Sequence, residues 1–268
     1  RENRESFMTR KSIAALRIAA AVLAAVSTSA VFAQGTDAYP SRPIRMIVGF
    51  AAGGPTDILA RTIGQHMGQT LGQQVVVENR PGAGGVVGAD LVAKAASDGY
   101  TLVMGATGSF AVNATLMPKM PYDIIRDFAP ISLTAIVPFV LVVSPDLPVR
   151  NLRDMIELAK AKPDTVTAGS AGIGTSMHMA TEMFRWMTNT RIVHVPYKGA
   201  APALADLAGG QLQAVFSDIV TAAPYLKAGK IRPIAVTERV PQVPASVATF
   251  AEAGLEKYNP AAWYGLLA

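Results

Sequence analysis

Two glycine-rich strings carry the chemistry that this sequence offers. Residues 50–57 read FAAGGPTD and residues 169–176 read GSAGIGTS, each between an apolar run and a helical pattern. A helix that opens straight from such a loop presents unpaired backbone N–H groups, a ready site for an anion. In the first string Pro55 fits the first helical position, where its missing N–H costs nothing. Asp57 falls inside the first turn, where a carboxylate suits the positive end of the helix. Two readings fit this stretch: half of a ligand site, or a βα turn with glycine geometry.

Catalytic patterns are missing from the sequence. No Gly-x-x-x-x-Gly-Lys-Ser/Thr string occurs, so residues 50–57 are not a nucleotide P-loop. No Gly-x-Ser-x-Gly elbow occurs either; residues 168–172 read AGSAG. Three histidines, His66, His178 and His194, leave little for acid–base work. His178 and Glu182 lie four apart, a spacing a metal could use, but no third ligand accompanies them. The expectation is therefore no enzyme, no cofactor and no metal.

Composition narrows the class further. The chain has 268 residues and no cysteine, which excludes disulfides and thiolate chemistry. It carries 24 Lys+Arg against 19 Asp+Glu, yet residues 1–33 hold five of the basic and two of the acidic groups. The remainder has 19 basic and 17 acidic residues, a net charge of +2 with no basic run. Nucleic acid is not an expected partner. Residues 8–33 read as a secretory signal peptide: Arg10, Lys11 and Arg17, then a short apolar core, then Val31-Phe32-Ala33 before Gln34. An uncleaved membrane anchor is the competing reading, but the core is too short to span a bilayer. Met8 is the expected start, with residues 1–7 read in frame upstream. No later stretch reaches about 18 apolar residues.

The elements that must position the two strings alternate along the chain. Apolar runs at 44–50, 74–78 and 101–104 read as strands, with helices between them, and this βαβαβ rhythm means a parallel sheet. The first helix should bury Leu59, Ile63, Met67 and Leu71 and wet Arg61, Gln65 and Gln69. Residues 105–109 follow the third strand. A long β-branched run, 131–143, is interrupted by Pro138. Asn151 caps an amphipathic helix over 151–161. Strands at 165–168, 191–196, 213–216 and 231–237 then alternate with helices at 177–187, 203–207 and 222–228. The α/β pattern gives two parallel-rich sheets, with 131–143 and 231–237 as two crossover strands. Two lobes joined in this way, with a cleft at the strand ends, describe a hinged binding protein.

Six strings in order, IVGFAAGGPTD, VVVENRPGAGG, ASDGYTL, GSAGIGTSMHMA, VPYKGAAPALADLAGGQ and AAWYGLLA, resemble the Bug family over nearly all of residues 39–268. These are the extracytoplasmic solute receptors of tripartite tricarboxylate transporters. The resemblance implies a two-lobed, type II-like periplasmic binding protein fold. It implies a small carboxylate ligand, held by backbone amides and bridging waters, and delivery to membrane permease subunits. The lobes are expected at 39–136 with 237–268, and at 137–236. Family chains continue past the last string, so the C-terminal part of the first lobe is expected to be missing, with core surface exposed and folding weakened.

The site follows residue by residue. Phe50, Ala52, Gly53, Gly54, Thr56 and Asp57 form the first loop, and Gly172, Gly174, Thr175 and Ser176 the second. Gly54 and Gly174 are the positions where a side chain should block close approach. Thr107 and Ser109 could add hydroxyls, as could Thr175 and Ser176. Tyr197 and Phe50 could wall the pocket or simply pack. Asp218 ends a strand; it either caps a helix or, as the family implies, meets an amine or hydroxyl of the ligand. The loop over 79–82 reads as structural, with Arg80 at the surface or paired across a loop. The expected protein is a periplasmic, monomeric receptor; a ligand-presenting sensor subunit for a membrane signalling protein is the alternative.

Overall fold

The structure, a computed structural model, describes residues 39–268, and the expected signal segment lies outside them. One compact unit holds Arg42–Ala268; of the other, Arg1–Ser41, only residues 39–41 are described. The β-branched and apolar runs form strands where the pattern places them. Ile44–Val48 (β1) is buried at four of five positions. It is followed by the helix Pro55–Leu71 (α1), the strand Val75–Asn79 (β2), the helix Val86–Ala93 (α2) and the strand Thr101–Ala106 (β3). Strand β1 pairs in parallel with β2 and with β3, as a βαβαβ unit requires.

Helix α1 packs closer to its sheet than the four-residue apolar repeat implies. Its fully buried line is Ala60 and Gly64, while Leu59, Ile63 and Met67 are only partly covered and Leu71 is exposed. A side chain at Gly64 would meet Val75 Cγ1 at 3.1 Å, so the small residue sets the helix–sheet distance. Arg61, Gln65 and Gln69 are exposed, as the pattern predicts.

Past β3 the chain makes a π-turn over Gly108–Val112 and a short helix Asn113–Leu116 (α3). Pro130–Val143 (β4) is one continuous strand through Pro138. The remaining elements are the helix Leu152–Ala161 (α4), strand Thr167–Ser170 (β5), helix Ser176–Thr188 (α5), strand Val193–Pro196 (β6) and helix Ala200–Ala208 (α6). Strand Ala214–Asp218 (β7), helix Ile219–Lys227 (α7) and strands Arg232–Val236 (β8) and Ala261–Leu267 (β9) complete the chain. Asn151 caps α4, its side chain accepting from Asp154 N at 2.9 Å.

Strand β4 belongs to both sheets. Its first part, Pro130 to Pro138, pairs antiparallel with β9, which pairs antiparallel with β3. Its last part, Phe139 to Val143, pairs antiparallel with β7, and Val140 to Val143 with β8. Strands β6, β5 and β7 run parallel beyond it. Pro138 falls at the changeover, where it lacks the N–H a ladder would use. Thr237 braces the next residue: Phe139 N–H donates to Thr237 Oγ1 at 2.9 Å, and Thr237 N–H donates to Phe139 O at 2.9 Å.

The second passage between sheets differs from the expected crossover strand. Strand β8 stays within the second sheet, and the chain returns through residues 237–260 to β9. Before it returns, Tyr258 packs against Phe184, Phe216 and Phe250, and its hydroxyl donates to Ala180 O at 2.9 Å. Tyr258→Phe should cost about 1 kcal/mol, the worth of that single bond, read from the urea midpoint. An unchanged midpoint would mean the hydroxyl contributes nothing to the anchor. On the outer side of β4, Ile131, Leu133 and Ile136 are all more than half exposed.

Candidate functional site

The carboxyl ends of the parallel strands of both sheets converge on one tight cavity of about 30 Å³, where ligands of open α/β sheets sit. Four helices begin at its wall. Gly54, Pro55 and Thr56 open α1; Thr175, Ser176 and Met177 open α5; Ala200 opens α6; Asp218 precedes α7. Phe50 and Tyr264 supply the aromatic surfaces, and Ala106, Gly108 and Ala171 fill the strand ends.

The local sequence decides which backbone donors remain for a ligand. Gly54 is the N-cap of α1 in extended conformation without a side-chain bond, and Pro55 follows. The first N–H satisfied within the helix is that of Ile58, which donates to Gly54 O at 3.0 Å. Thr56 and Asp57 N–H therefore face outward from the first turn. The Ala51 N–H donates to Lys198 O at 2.9 Å, and the Gly53 N–H to Asp57 Oδ2 at 3.0 Å. In the second loop Gly172 N–H goes to Ser170 Oγ, Gly174 N–H to His178 Nδ1 and Thr175 N–H to Gly172 O. The Thr175 side chain caps α5 by accepting from His178 N–H at 3.3 Å and donates to Gly172 O at 2.7 Å. Ser176 and Met177 N–H are the first-turn donors left there.

Several expected ligand contacts have other employment. Ala52 and Gly53 are exposed and off the cavity. Asp57 is buried at 4 % exposure and turns away from it, accepting from Gly53 N–H, from Arg61 Nε and, at 2.9 Å, from Asn79 Nδ2. Burial alone would raise its carboxyl, but the bonds from Arg61, Gly53 and Asn79 outweigh that and hold it below the ordinary carboxylate value. Thr107 Oγ1 accepts from Trp263 N–H at 2.9 Å and so ties β3 to β9. Ser109 Oγ donates to Ala106 O. Tyr197 donates to Asp206 Oδ2 at 2.7 Å; burial first, and then Asp206, push its phenol up to about 12. Gly172 and Tyr197 line a separate cavity with Gly84, Ile173 and Lys198 on the far side of Phe50. Arg80 pairs with Glu78 at 2.9 Å.

Asp218 is a helix cap, and its place on the cavity wall leaves the contact with a ligand amine or hydroxyl an expectation. It caps α7, with Oδ1 accepting from Thr221 N–H at 2.8 Å and from Thr221 Oγ1 at 2.9 Å, and it lines the cavity. Burial raises its carboxyl above the ordinary value against the pull of the Thr221 bonds. His178 and Glu182 are 3.8 Å apart, with Glu182 held by Arg185 at 2.7 Å. No group of three metal-ligating side chains occurs among the described residues.

Across the mouth of the cleft the two lobes touch through glycine. An added Cβ on Gly84 would lie 2.6 Å from Ile173 O, and one on Gly174 1.9 Å from Asn113 Oδ1. Both glycines have positive φ, +62° and +76°. Asn113 is buried between them, its Nδ2 without a partner among the described residues. Gly54, by contrast, has φ −84° and room for a Cβ, with Ala51 O at 3.6 Å and Ala200 N at 3.9 Å. The sequence reading singled out Gly174 but neither Gly84, Asn113, Ala200 nor Tyr264. The strand–glycine–helix string before Ala200 was a usable signal for the third helix. Tyr264 had none, because it arrives on β9, inserted between β3 and β4 from far along the chain.

An α/β body of two sheets, sharing one long strand and enclosing helix N-termini at a common cleft, is a two-lobed solute-binding protein. Residues 59–268 match the tripartite tricarboxylate transporter family receptor, TctC. The protein BugT of Bordetella pertussis is 40% identical over 235 residues, 87% of this chain and 72% of that protein. The structure of Rpa4515 of R. palustris with adipate is 39% identical with a TM-score of 0.83, covering 86% of this chain and 77% of that one. MatC of Rhodopseudomonas palustris with bound malate is 34% identical with a TM-score of 0.80, covering 86% and 79%. The chain belongs to the TctC family of tripartite tricarboxylate transporter receptors.

Proposed function

We propose that this chain is a periplasmic receptor that captures a small carboxylate in the interlobe cleft and presents it to the permease subunits of a tripartite tricarboxylate transporter. The observation that carries this reading is the pair of helix N-termini, α1 and α5, on opposite walls of one cavity. Thr56 and Asp57 N–H from one lobe, and Ser176 and Met177 N–H from the other, can share one anion and so couple binding to closure. Phe50 walls the pocket. Asp218 beside an anion is costly unless the ligand brings a donor, which favours a carboxylate with a hydroxyl or amine nearby. The bound adipate and malate of the two relatives support the ligand class. The signal pattern over residues 8–33 supports export, and among the described residues no helix is long and apolar enough to cross a membrane.

In this reading the lobes move about β4 at Pro138 and about the chain near residue 260. The packing of Tyr258 supports counting residues 238–258 with the second lobe and a boundary near residue 260. The receptor works as a monomer. Malate and adipate are the first probes, by calorimetry and thermal unfolding. A ligand at 100 times its Kd should stabilise the protein by about 2.7 kcal/mol. Malate should bind more tightly than adipate, because only malate offers Asp218 a hydroxyl. No stabilisation by any of a panel of dicarboxylates, hydroxy acids and amino acids would remove the reading.

A further inference from the structure

Behind the second-lobe loop lies a side-chain cluster that does not line the cavity. His178 on α5 and His194 on β6 stack with ring centroids 4.2 Å apart. Each ring reaches the loop. His178 Nδ1 accepts the Gly174 N–H at 3.2 Å. His194 Nε2 lies 2.6 Å from Ser170 Oγ, which accepts the Gly172 N–H at 3.1 Å. These contacts fix the backbone of residues 172–174, and with it the direction in which α5 opens onto the cavity. We propose that His178 and His194 are a positioning pair for the ligand loop, and that protonating His178 releases Gly174 and loosens the carboxylate site in acid. This rests on the receptor reading given above.

The chemistry is set by which nitrogen is free. A Gly174 N–H directed at Nδ1 needs a lone pair there, so the His178 proton sits on Nε2, 3.8 Å from Glu182 Oε1. A second proton can enter only at Nδ1, where it removes the acceptor. His194 is less decisive, since Ser170 can donate to Nε2 or accept from it. The charged groups around the pair are Glu182 and Arg185 of α5, with Arg185 pulling Glu182 toward itself. Burial is the main force holding both rings neutral. It lowers His178, with Glu182 opposing and Arg185 adding, and it pushes His194 down to about 4 with help from His178. The sign follows from linkage. Both folded-state values lie below the unfolded value of about 6.5, so the contribution is complete above that pH and is lost as pH falls toward the folded-state values.

The test reads the loop itself, without ligand. Amide hydrogen-exchange protection of Gly174, measured by NMR on the mature chain, should fall roughly tenfold between pH 7 and pH 4.5, what one hydrogen bond supports. His178→Gln keeps an oxygen acceptor but no titratable group, and should retain protection across that range. His178→Ala should lack it at every pH. Gly174 protection that is flat with pH in the wild type, or equally acid-sensitive in His178→Gln, would overturn the proposal. A chain that binds no carboxylate yet shows acid-labile Gly174 protection would keep the pair's role and remove the receptor reading instead. Where malate binds, its Kd should rise more steeply over the same pH range in the wild type than in His178→Gln, which shows only the ligand's own titration.

Discussion

Gly84→Ala is expected to weaken carboxylate binding by more than about a hundredfold while each lobe stays folded. The new Cβ would lie 2.6 Å from Ile173 O, a backbone atom of the opposite lobe that no side-chain rotation can remove. Alanine at φ +62° adds strain of about 1–3 kcal/mol within the loop. Relief of the contact requires the lobes to part, and parting separates the two helix N-termini that must share one anion. A hundredfold loss corresponds to about 2.7 kcal/mol, a modest demand for a contact that short. Gly174→Ala should act likewise through the buried amide of Asn113, whereas Gly54→Ala, with its nearest neighbour at 3.6 Å, should weaken binding far less. Calorimetry with malate or adipate gives the affinity, and small-angle scattering shows whether ligand still compacts the protein. Wild-type affinity in Gly84→Ala, with ligand-induced compaction intact, would end the closed-cleft account.

Asp57→Ala is expected to destabilise the fold by about 3 kcal/mol and to leave ligand preference unchanged. The carboxylate is buried and gathers donors from three places: Gly53 N–H, Arg61 Nε and Asn79 Nδ2. Asn79 Nδ2 also donates to Phe50 O at 3.1 Å, so Asp57 steadies both the loop and the aromatic wall. Removing it leaves half of the Asn79 amide bonding unmet, at roughly 1–3 kcal/mol, and loses the bond from Gly53, whose exposed N–H can turn to water, at about 1 kcal/mol. Arg61 is half exposed and can return to water, so its ion pair adds little. Because the folded-state carboxyl is depressed, its contribution is complete above the unfolded value and is lost as pH falls through the folded one. Urea unfolding at pH 7 measures the loss. A midpoint unchanged by the substitution would show that the bonds are replaced by water.

The sequence alone determined the local pieces. Period-two and continuous apolar runs specified eight of the strands to within a few residues, and glycine before a helical pattern specified where α1 and α5 open. These are short-range matters of backbone conformation and side-chain period, written in neighbouring residues. Six ordered strings also sufficed for the family. Tertiary structure decided the rest, because it depends on residues that are distant in sequence. Strand β9 reads locally as AAWYGLLA, and only its insertion between β3 and β4 brings Tyr264 to the cavity. Asp57 carries the same helix-start signal whether it faces a ligand or a neighbour; the approach of Asn79 and Arg61 turned it inward. Gly84 and Asn113 are ordinary turn and helix residues in sequence, and they matter because folding sets them against Ile173 and Gly174 of the other lobe. A donor's use is fixed by what packs within about 3 Å of it, and no sequence spacing encodes which distant carbonyl or carboxylate that will be.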